Sequence, residues 1–468
     1  MAIQSRYRLR SLLGASALAL SALSAPVLAD TIFTKPLVDF AGHVSAGGEG
    51  RAPVHQGGKA VIEGEEMIPG QTVTLMRGPK VLNPEPITVA EDGTFRFPLD
   101  IDAEAETGLQ PIVVITENPA SAEVVELKVS PQVPVSGTEK FAVASQPVVR
   151  GLYQVKANAA GDAVFVTSAV GRPPVKEAKL VKLDPQTLKI VAEVTPATAP
   201  AREDGREGGL FAVYGVDVDD ANGNVWVTNT RQNTASVYRQ SDLSLVKQFA
   251  PGAVPHARDV VVDEANGRAY ASATGTPNIE VFDTKTLEKL EPITIPSQIR
   301  GEDFSTMALD IDEAGGKLVT VSLSTPEAAV VDLASGEVKV IPLPGAKAAS
   351  GVAYDPKEGL IFVASQATDN LLIVKAETGE VIHDVAVGAG PLNVAFEPVS
   401  RLAYVAIRGS GTIAVVSPEG EIVANIDAGS LPNQLRADGK GNVWAVNKSK
   451  GEDDEAGDRI WRITPAAG

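Results

Sequence analysis

From about residue 140 onward, short apolar runs alternate with turns rich in Asn, Asp, Gly and Ser. The unit Asn222-Gly223-Asn224-Val225-Trp226-Val227-Thr228-Asn229 shows the pattern most plainly. Turns at Gly161-Asp162, Asn266-Gly267, Gly315-Gly316, Glu358-Gly359, Ser400-Arg401 and Gly441-Asn442 open the same kind of run, which makes seven copies. Their aligned positions hold Phe165, Trp226, Tyr270, Val319, Phe362, Tyr404 and Trp444. These recur about every 40 to 60 residues, a period that with strand patterning throughout predicts four-stranded propeller blades. A second half-unit, as in Val281-Phe282-Asp283-Thr284-Lys285-Thr286-Leu287, reads as strand, turn, strand. The large residues of the repeat are expected to pack between blades, not to bind ligands. The last repeat ends after Trp461 without a fourth strand. A closed ring must cover that edge, and residues 141–145, just before the first full repeat, are the segment available to do so.

Residues 30–135 have a different rhythm. Five or more short alternating runs are separated by turn signals, including Glu91-Asp92-Gly93 between 86–89 and 94–97. This predicts an Ig-like β-sandwich, joined through the linker Pro131-Gln132-Val133-Pro134 to a propeller over 136–468. The fold class expected is therefore all-β: a seven-bladed β-propeller preceded by a small Ig-like β-sandwich. Residues 1–29 read as a signal peptide. Arg6, Arg8 and Arg10 precede the apolar stretch 12–23, and Val27-Leu28-Ala29 places the cut before Asp30. That stretch is too short to span a bilayer, so no membrane span is expected. Export implies the bacterial envelope, with the periplasm as the expected compartment and secretion to the medium as the second.

The chain has no cysteine, which excludes disulfides and thiolate metal sites and leaves stability to the core. Its formal charge of −18, more negative still once the signal arginines are gone, disfavours non-specific attraction to nucleic acid or anionic lipid. The four histidines, His43, His55, His256 and His383, are too scattered for a metal site, and no cofactor is implied.

The run Trp226-Val227-Thr228-Asn229 closely matches the repeat that names the YVTN, or YncE-like, seven-bladed propellers, and the degenerate copies lie in register with it. The chain resembles this family over roughly residues 140–465 and leaves the N-terminal region unmatched. The resemblance implies the fold. For function it implies only a range of periplasmic and surface proteins, single-stranded DNA binders among them.

Aligning the repeats places one residue per blade at the channel mouth: Tyr153, Tyr214, Arg258, Met307, Ser350, Leu392 and Asn433. Their neighbours are Gln154, Gly215, Asp259, Ala308, Gly351, Asn393 and Gln434. Arg172, Arg231, Arg258, Arg300, Arg408 and Lys448 fall on mouth-side loops, together with the acids Glu203, Asp204, Glu302, Asp303 and Glu452 to Glu455. Asp219, Asp220, Asp263, Glu264, Asp312, Glu313, Asp355 and Asp438 fall in turns of the opposite face. The candidate ligand site is Tyr153, Tyr214, Arg258, Asn433, Arg231 and Asn393, where a guanidinium and two phenols suit an anionic or planar aromatic group. No catalytic set and no metal-ligand set is assigned.

A non-enzymatic binding or scaffolding protein of the envelope, monomeric and accessory to nutrient uptake, is the leading expectation. Its partner would be another envelope protein or a small anion. Two alternatives stand beside it. A single-stranded DNA binder needs aromatic platforms in a cationic groove, and the net charge opposes it. A channel-mouth hydrolase of the lactonase kind needs convergent His, Arg and Glu, of which only His256 and Arg258 are in view.

Overall fold

A computed structural model describes residues 33, 35–202 and 205–466. The signal segment 1–29 lies outside the described residues, as do Glu203 and Asp204. No helix among the described residues is long and apolar enough to cross a membrane.

Seven four-stranded antiparallel sheets follow one another along the chain. Their first strands are Leu152–Ala157, Val216–Asp219, Ala257–Asp263, Thr306–Asp312, Ala349–Asp355, Pro391–Glu397 and Pro432–Ala437. Each first strand packs beside the next, and the last packs beside the first. Apolar runs buried on both faces explain why the repeats read as nearly continuous hydrophobic stretches. Each pair of neighbouring sheets shares one apolar layer. Trp226, for instance, packs with Phe249 at 5.9 Å and with Phe282 at 5.6 Å between the second and third sheets. Trp444 joins Val446 and Ile460 against Leu152 and Val166, joining the last sheet to the first. Trp226, Tyr270, Phe362, Tyr404 and Trp444 are all buried. The turn signature has a local cause: Asp219 accepts bonds from the backbone and the side chain of Asn222, and Asp263 does the same for Asn266.

The seventh sheet is completed from the other end of the chain. Its fourth strand is Phe141–Pro147, antiparallel to Arg459–Pro465 with Trp461 opposite Ser145 and Ile463 opposite Val143. Phe141 is buried and meets Tyr404 edge-on at 6.1 Å, so the closing strand also joins the layer beneath it.

Residues 43–129 form two further antiparallel sheets. One holds His43–Gly47, Lys59–Glu65 and Phe95–Asp100; the other is built on Thr72–Arg77, Gly108–Glu117 and Ser121–Val129. Ile62 and Phe95 from the first share a core with Val73, Leu75, Ile112, Val114 and Leu127 from the second. The segment read as a linker is held by contacts to the propeller sheets. Ser136 pairs with Asn425 on an outer strand, and Asn425 Nδ2 donates to the Val133 carbonyl at 2.8 Å. Lys128 reaches across to Asp369 at 2.7 Å, and Lys347 pairs with Glu126. These contacts seat the N-terminal sheets beside the loops of the fifth and sixth propeller sheets.

Candidate functional site

Six of the seven inner strands break register where they reach the axis, as between Leu152 and Val155, Ala257 and Val260, and Pro432 and Gln434. A bulge turns two consecutive residues toward the same side. Tyr153 with Gln154, Arg258 with Asp259, Leu392 with Asn393 and Asn433 with Gln434 therefore all line one small cavity at the channel mouth, with Tyr214, Ala308 and Ser350. Where the inner strands touch, only glycine fits: a Cβ on Gly351 would lie 2.6 Å from the Asn393 Cα, and one on Gly215 would lie 2.7 Å from the Arg258 carbonyl.

The inner neighbours form a belt. Gln154 accepts from the Val216 amide at 3.0 Å, Asp217 from Val262 at 2.8 Å and Asp259 from Leu309 at 3.0 Å. Asp310 accepts from Tyr354 at 2.8 Å, Asn393 from Leu435 at 3.0 Å and Gln434 from Val155 at 2.9 Å. Each polar side chain thus satisfies a backbone amide of another sheet's inner strand. Below the belt, Arg436 closes the channel. It donates to both oxygens of Asp259, at 3.0 and 3.1 Å, and to the Leu309 carbonyl at 3.1 Å. Burial opposes its charge, but Asp259, Asp310 and Asp217 more than offset this and hold the guanidinium above its ordinary value. Burial pushes Asp310 up, against the pull of Arg436. Lys156 pairs with Asp217 at 2.7 Å. The mouth cavity above this plug measures about 20 Å³, room for water and little else.

Cations ring the rim. Arg231 Nε donates to the Tyr214 hydroxyl at 3.0 Å, and Arg408 donates to Asn433 Oδ1 at 2.8 Å. Asn433 in turn donates to the Tyr153 carbonyl at 2.7 Å. The Lys448 ammonium sits 3.2 Å from the centroid of the Tyr153 ring. Among the described residues, neither Lys448 Nζ nor the Arg258 guanidinium has a hydrogen-bonded acceptor, and no carboxylate lies at ion-pair distance from any of these four cations. The crowding is chemically visible. Burial, with Arg408 and Arg258 next in effect, lowers Lys448 to about 7. Burial and Arg258 also lower Arg408. Gln434 Nε2, a buried donor lining the cavity, has no partner.

The structure gathers Tyr153, Tyr214, Arg258, Asn433 and Asn393 around one cavity, with Arg231 bonded to its edge. Two features differ from the sequence reading. Tyr214 is 3 % exposed and packs with Ala169, Val175, Ala178 and Ala212, so it is a core residue whose hydroxyl alone reaches the mouth. The Tyr153 ring has Tyr214 at 3.9 Å and Lys448 over a face, which leaves no open platform for a stacked aromatic group. Sequence reasoning placed Arg408 and Lys448 on mouth-side loops without assigning them to the site. Arg172 and Arg300, from the same series, are exposed and do not line the cavity. His256 is exposed in the left-handed region at φ 42°, its amide bonded to Asn233; burial, then Arg258 and Arg231, depress its imidazole. The opposite-face acids are latches: Asp220 accepts from the Ala159 amide at 2.6 Å, Glu264 from Asp220 at 2.7 Å and Glu313 from Glu264 at 2.9 Å. Among the described residues, no group of His, Cys, Asp and Glu is arranged to hold a metal ion.

No protein-family model and no curated relative matches the sequence. Solved structures do. Virginiamycin B lyase from Staphylococcus aureus is similar at a TM-score of 0.53 and 13 % identity, over 69 % of this chain and 99 % of that one. The WD40 repeats of RRP9 are similar at 0.55 and 10 % identity, over 72 % and 100 %. Kuenenia stuttgartiensis hydrazine synthase reaches 0.50 and 18 %, over 64 % and 94 %. At these identities the likeness concerns the fold alone. With the ring of four-stranded sheets, it makes this chain an all-β protein built on a β-propeller.

Proposed function

We propose that the chain is an exported, non-enzymatic binding protein of the bacterial envelope, a seven-bladed YncE-like propeller whose channel mouth takes a small anion. The observation that carries this reading is the rim of Arg231, Arg258, Arg408 and Lys448, with no carboxylate at ion-pair distance among the described residues. Three guanidiniums and a partly protonated amine held close together are a standing cost that an anion relieves through charge-assisted hydrogen bonds. The surrounding protein is acidic, so this rim is a local exception to a formal charge of −18. The signal-like N-terminus supports the periplasm as the compartment, and a role beside a nutrient-uptake system suits a binder of this kind.

A single-stranded DNA platform has less support, because stacking needs open ring faces and those of Tyr153 are covered. A lactonase-like site has less as well: among the described residues no glutamate lines the mouth cavity.

Arg258→Ala is the direct test. It removes a half-buried guanidinium that makes no hydrogen bond, so anion affinity should fall at least tenfold, about 1.4 kcal/mol, with the melting temperature unchanged. Wild-type anion affinity in this variant, read by calorimetry, would move the site elsewhere. Tyr214→Phe should weaken binding less, since it loses only the bond from Arg231.

We also propose that residues 30–135 are an Ig-like sandwich that folds apart from the propeller. A chain starting at Gln132 keeps the Val133 and Ser136 contacts to Asn425. It should retain one cooperative thermal transition and the wild-type anion affinity. Molten or insoluble material would show that the two parts fold as one.

A further inference from the structure

We propose that the anion taken at the mouth is a compact oxyanion carrying two negative charges, a sulfate- or phosphate-class group, seated on the rim among Lys448, Arg231, Arg258 and Arg408. The inference rests on the anion-binding reading above and adds to it the charge, the size and the proton.

Size follows from what is closed. The cavity between the inner strands measures about 20 Å³, and Arg436 with Asp259 blocks the channel beneath it. Both tyrosine rings are engaged, by each other and by Lys448. A bulky or planar ligand finds neither depth nor a stacking face, whereas a tetrahedral oxyanion, itself too large for the cavity, can seat on the rim above it and needs only convergent donors there. Those donors are on hand. The Arg258 guanidinium and Lys448 Nζ have no hydrogen-bonded acceptor among the described residues. Arg231 and Arg408 each use one N–H on a neutral group, Tyr214 or Asn433, and keep the rest of a five-donor fork.

Charge follows from the count of ions at the rim. Three guanidiniums and one amine lie close enough at the rim to act on one another. Among the described residues Asp458 is the acid with the largest effect on Lys448, from beyond ion-pair distance, and its Oδ1 is held by the amides of Gly151 and Ser449. Arg150 and Lys450 lie farther out in the adjoining groove, where Arg150 is paired with Glu177 and Glu452. A single negative charge leaves most of this field unbalanced; two balance more of it.

The proton follows from Lys448. Burial, then Arg408 and Arg258, bring its ammonium down to about 7, against the pull of Asp458 and with Arg231 adding to the push. Near neutral pH the empty site therefore holds Lys448 partly deprotonated. A dianion beside it favours the charged form, so binding takes up a proton and affinity falls as the pH rises above about 7.

Isothermal titration of the full mature chain with sodium sulfate tests this, since sulfate keeps both charges from pH 6 to pH 8.5. Sulfate should bind about tenfold more weakly at pH 8.5 than at pH 6, in line with loss of the Lys448 proton. Repeating the titration in buffers of different ionisation heat should show proton uptake near pH 7.5. In Lys448→Met both the pH dependence and the uptake should vanish. Acetate should bind far more weakly than sulfate. Equal affinity for acetate, lost in Arg258→Ala, would overturn the divalent assignment and leave the anion site standing. Sulfate binding without proton uptake, or uptake that survives in Lys448→Met, would overturn the role of Lys448. No sulfate binding, or binding unchanged by Arg258→Ala, would overturn the site itself. Co-sedimentation with phosphatidylglycerol vesicles without binding of free sulfate or phosphate would also overturn the proposal, because a lipid headgroup would then be the source of the anion.

Discussion

Arg436→Met should destabilise the protein by about 3–5 kcal/mol, the range for removing one partner of a buried ion pair. Methionine keeps much of the volume, so the loss is electrostatic and not a cavity effect. The arginine donates to both oxygens of Asp259, and both side chains are buried. Without it, Asp259, Asp310 and Asp217 share the channel with Lys156 as the remaining cation. The sign of the pH dependence follows. Asp310 is already raised in the folded state, by burial, and Arg436 opposes that rise. Removing Arg436 raises it further. An acid whose folded pKa lies above its unfolded value makes the folded state bind more protons, so stability increases as the pH falls through that raised value. The variant should therefore regain part of its loss on mild acidification, where wild type gains less. Urea unfolding at two pH values measures both effects. A loss under about 1 kcal/mol at neutral pH would mean that water reaches the plug.

Deleting 141–147 should be the most damaging change short of removing a whole sheet. The segment supplies all seven residues that pair with Arg459–Pro465, and it buries Phe141 between the sixth and seventh sheets. Its loss exposes an edge and releases the link between the two ends of the chain. The expected cost exceeds about 5 kcal/mol, and the transition should broaden as the terminal sheet unfolds separately from the rest. Phe141→Ala separates the two contributions. It keeps the strand and removes the ring packed on Tyr404, so it should cost about 3–5 kcal/mol with the transition still cooperative. A deletion variant that melts at the wild-type temperature would show that the ring does not depend on this clasp.

Much of this architecture could be read one strand at a time. Trp226, Tyr270, Phe362, Tyr404 and Trp444 recur at one place in a turn-and-strand unit, and burial on both faces of a sheet requires such runs. The missing strand of the last repeat was legible as well, since a count of half-units leaves one edge bare. Tyr214 shows what this kind of reading leaves out. Its alignment with other polar residues placed it at the mouth, where it does line the cavity, but gave no sign of how deeply its ring is buried. The ring is enclosed by Ala169 and Ala178 of the first sheet together with Val175 and Ala212, and Leu210, bridged to Thr198, packs against them. A loop without periodic pattern carries no sign of what it will cover.

The sequence by itself determined the all-β class, the repeat, and the inner-strand positions that converge on the axis. These follow from local rules: turn residues set the unit length, and alternation sets which residues are buried. Only the tertiary structure decided what the mouth is made of. Arg231, Arg258, Arg408 and Lys448 belong to four different repeats; the repeat alignment brought Arg258 and Arg231 to the site, but Arg408 and Lys448 look like ordinary loop cations in their own segments. They form one site because the ring closes and because bulges turn consecutive residues of the inner strands to one side. The belt of Gln154, Asp217, Asp259, Asp310, Asn393 and Gln434 was hidden for the same reason, since each bonds to a backbone amide of another repeat. Electrostatic coupling falls off with distance in space and is blind to distance along the chain. That is why the fold was legible repeat by repeat, while the charge of the site emerged only when the repeats met.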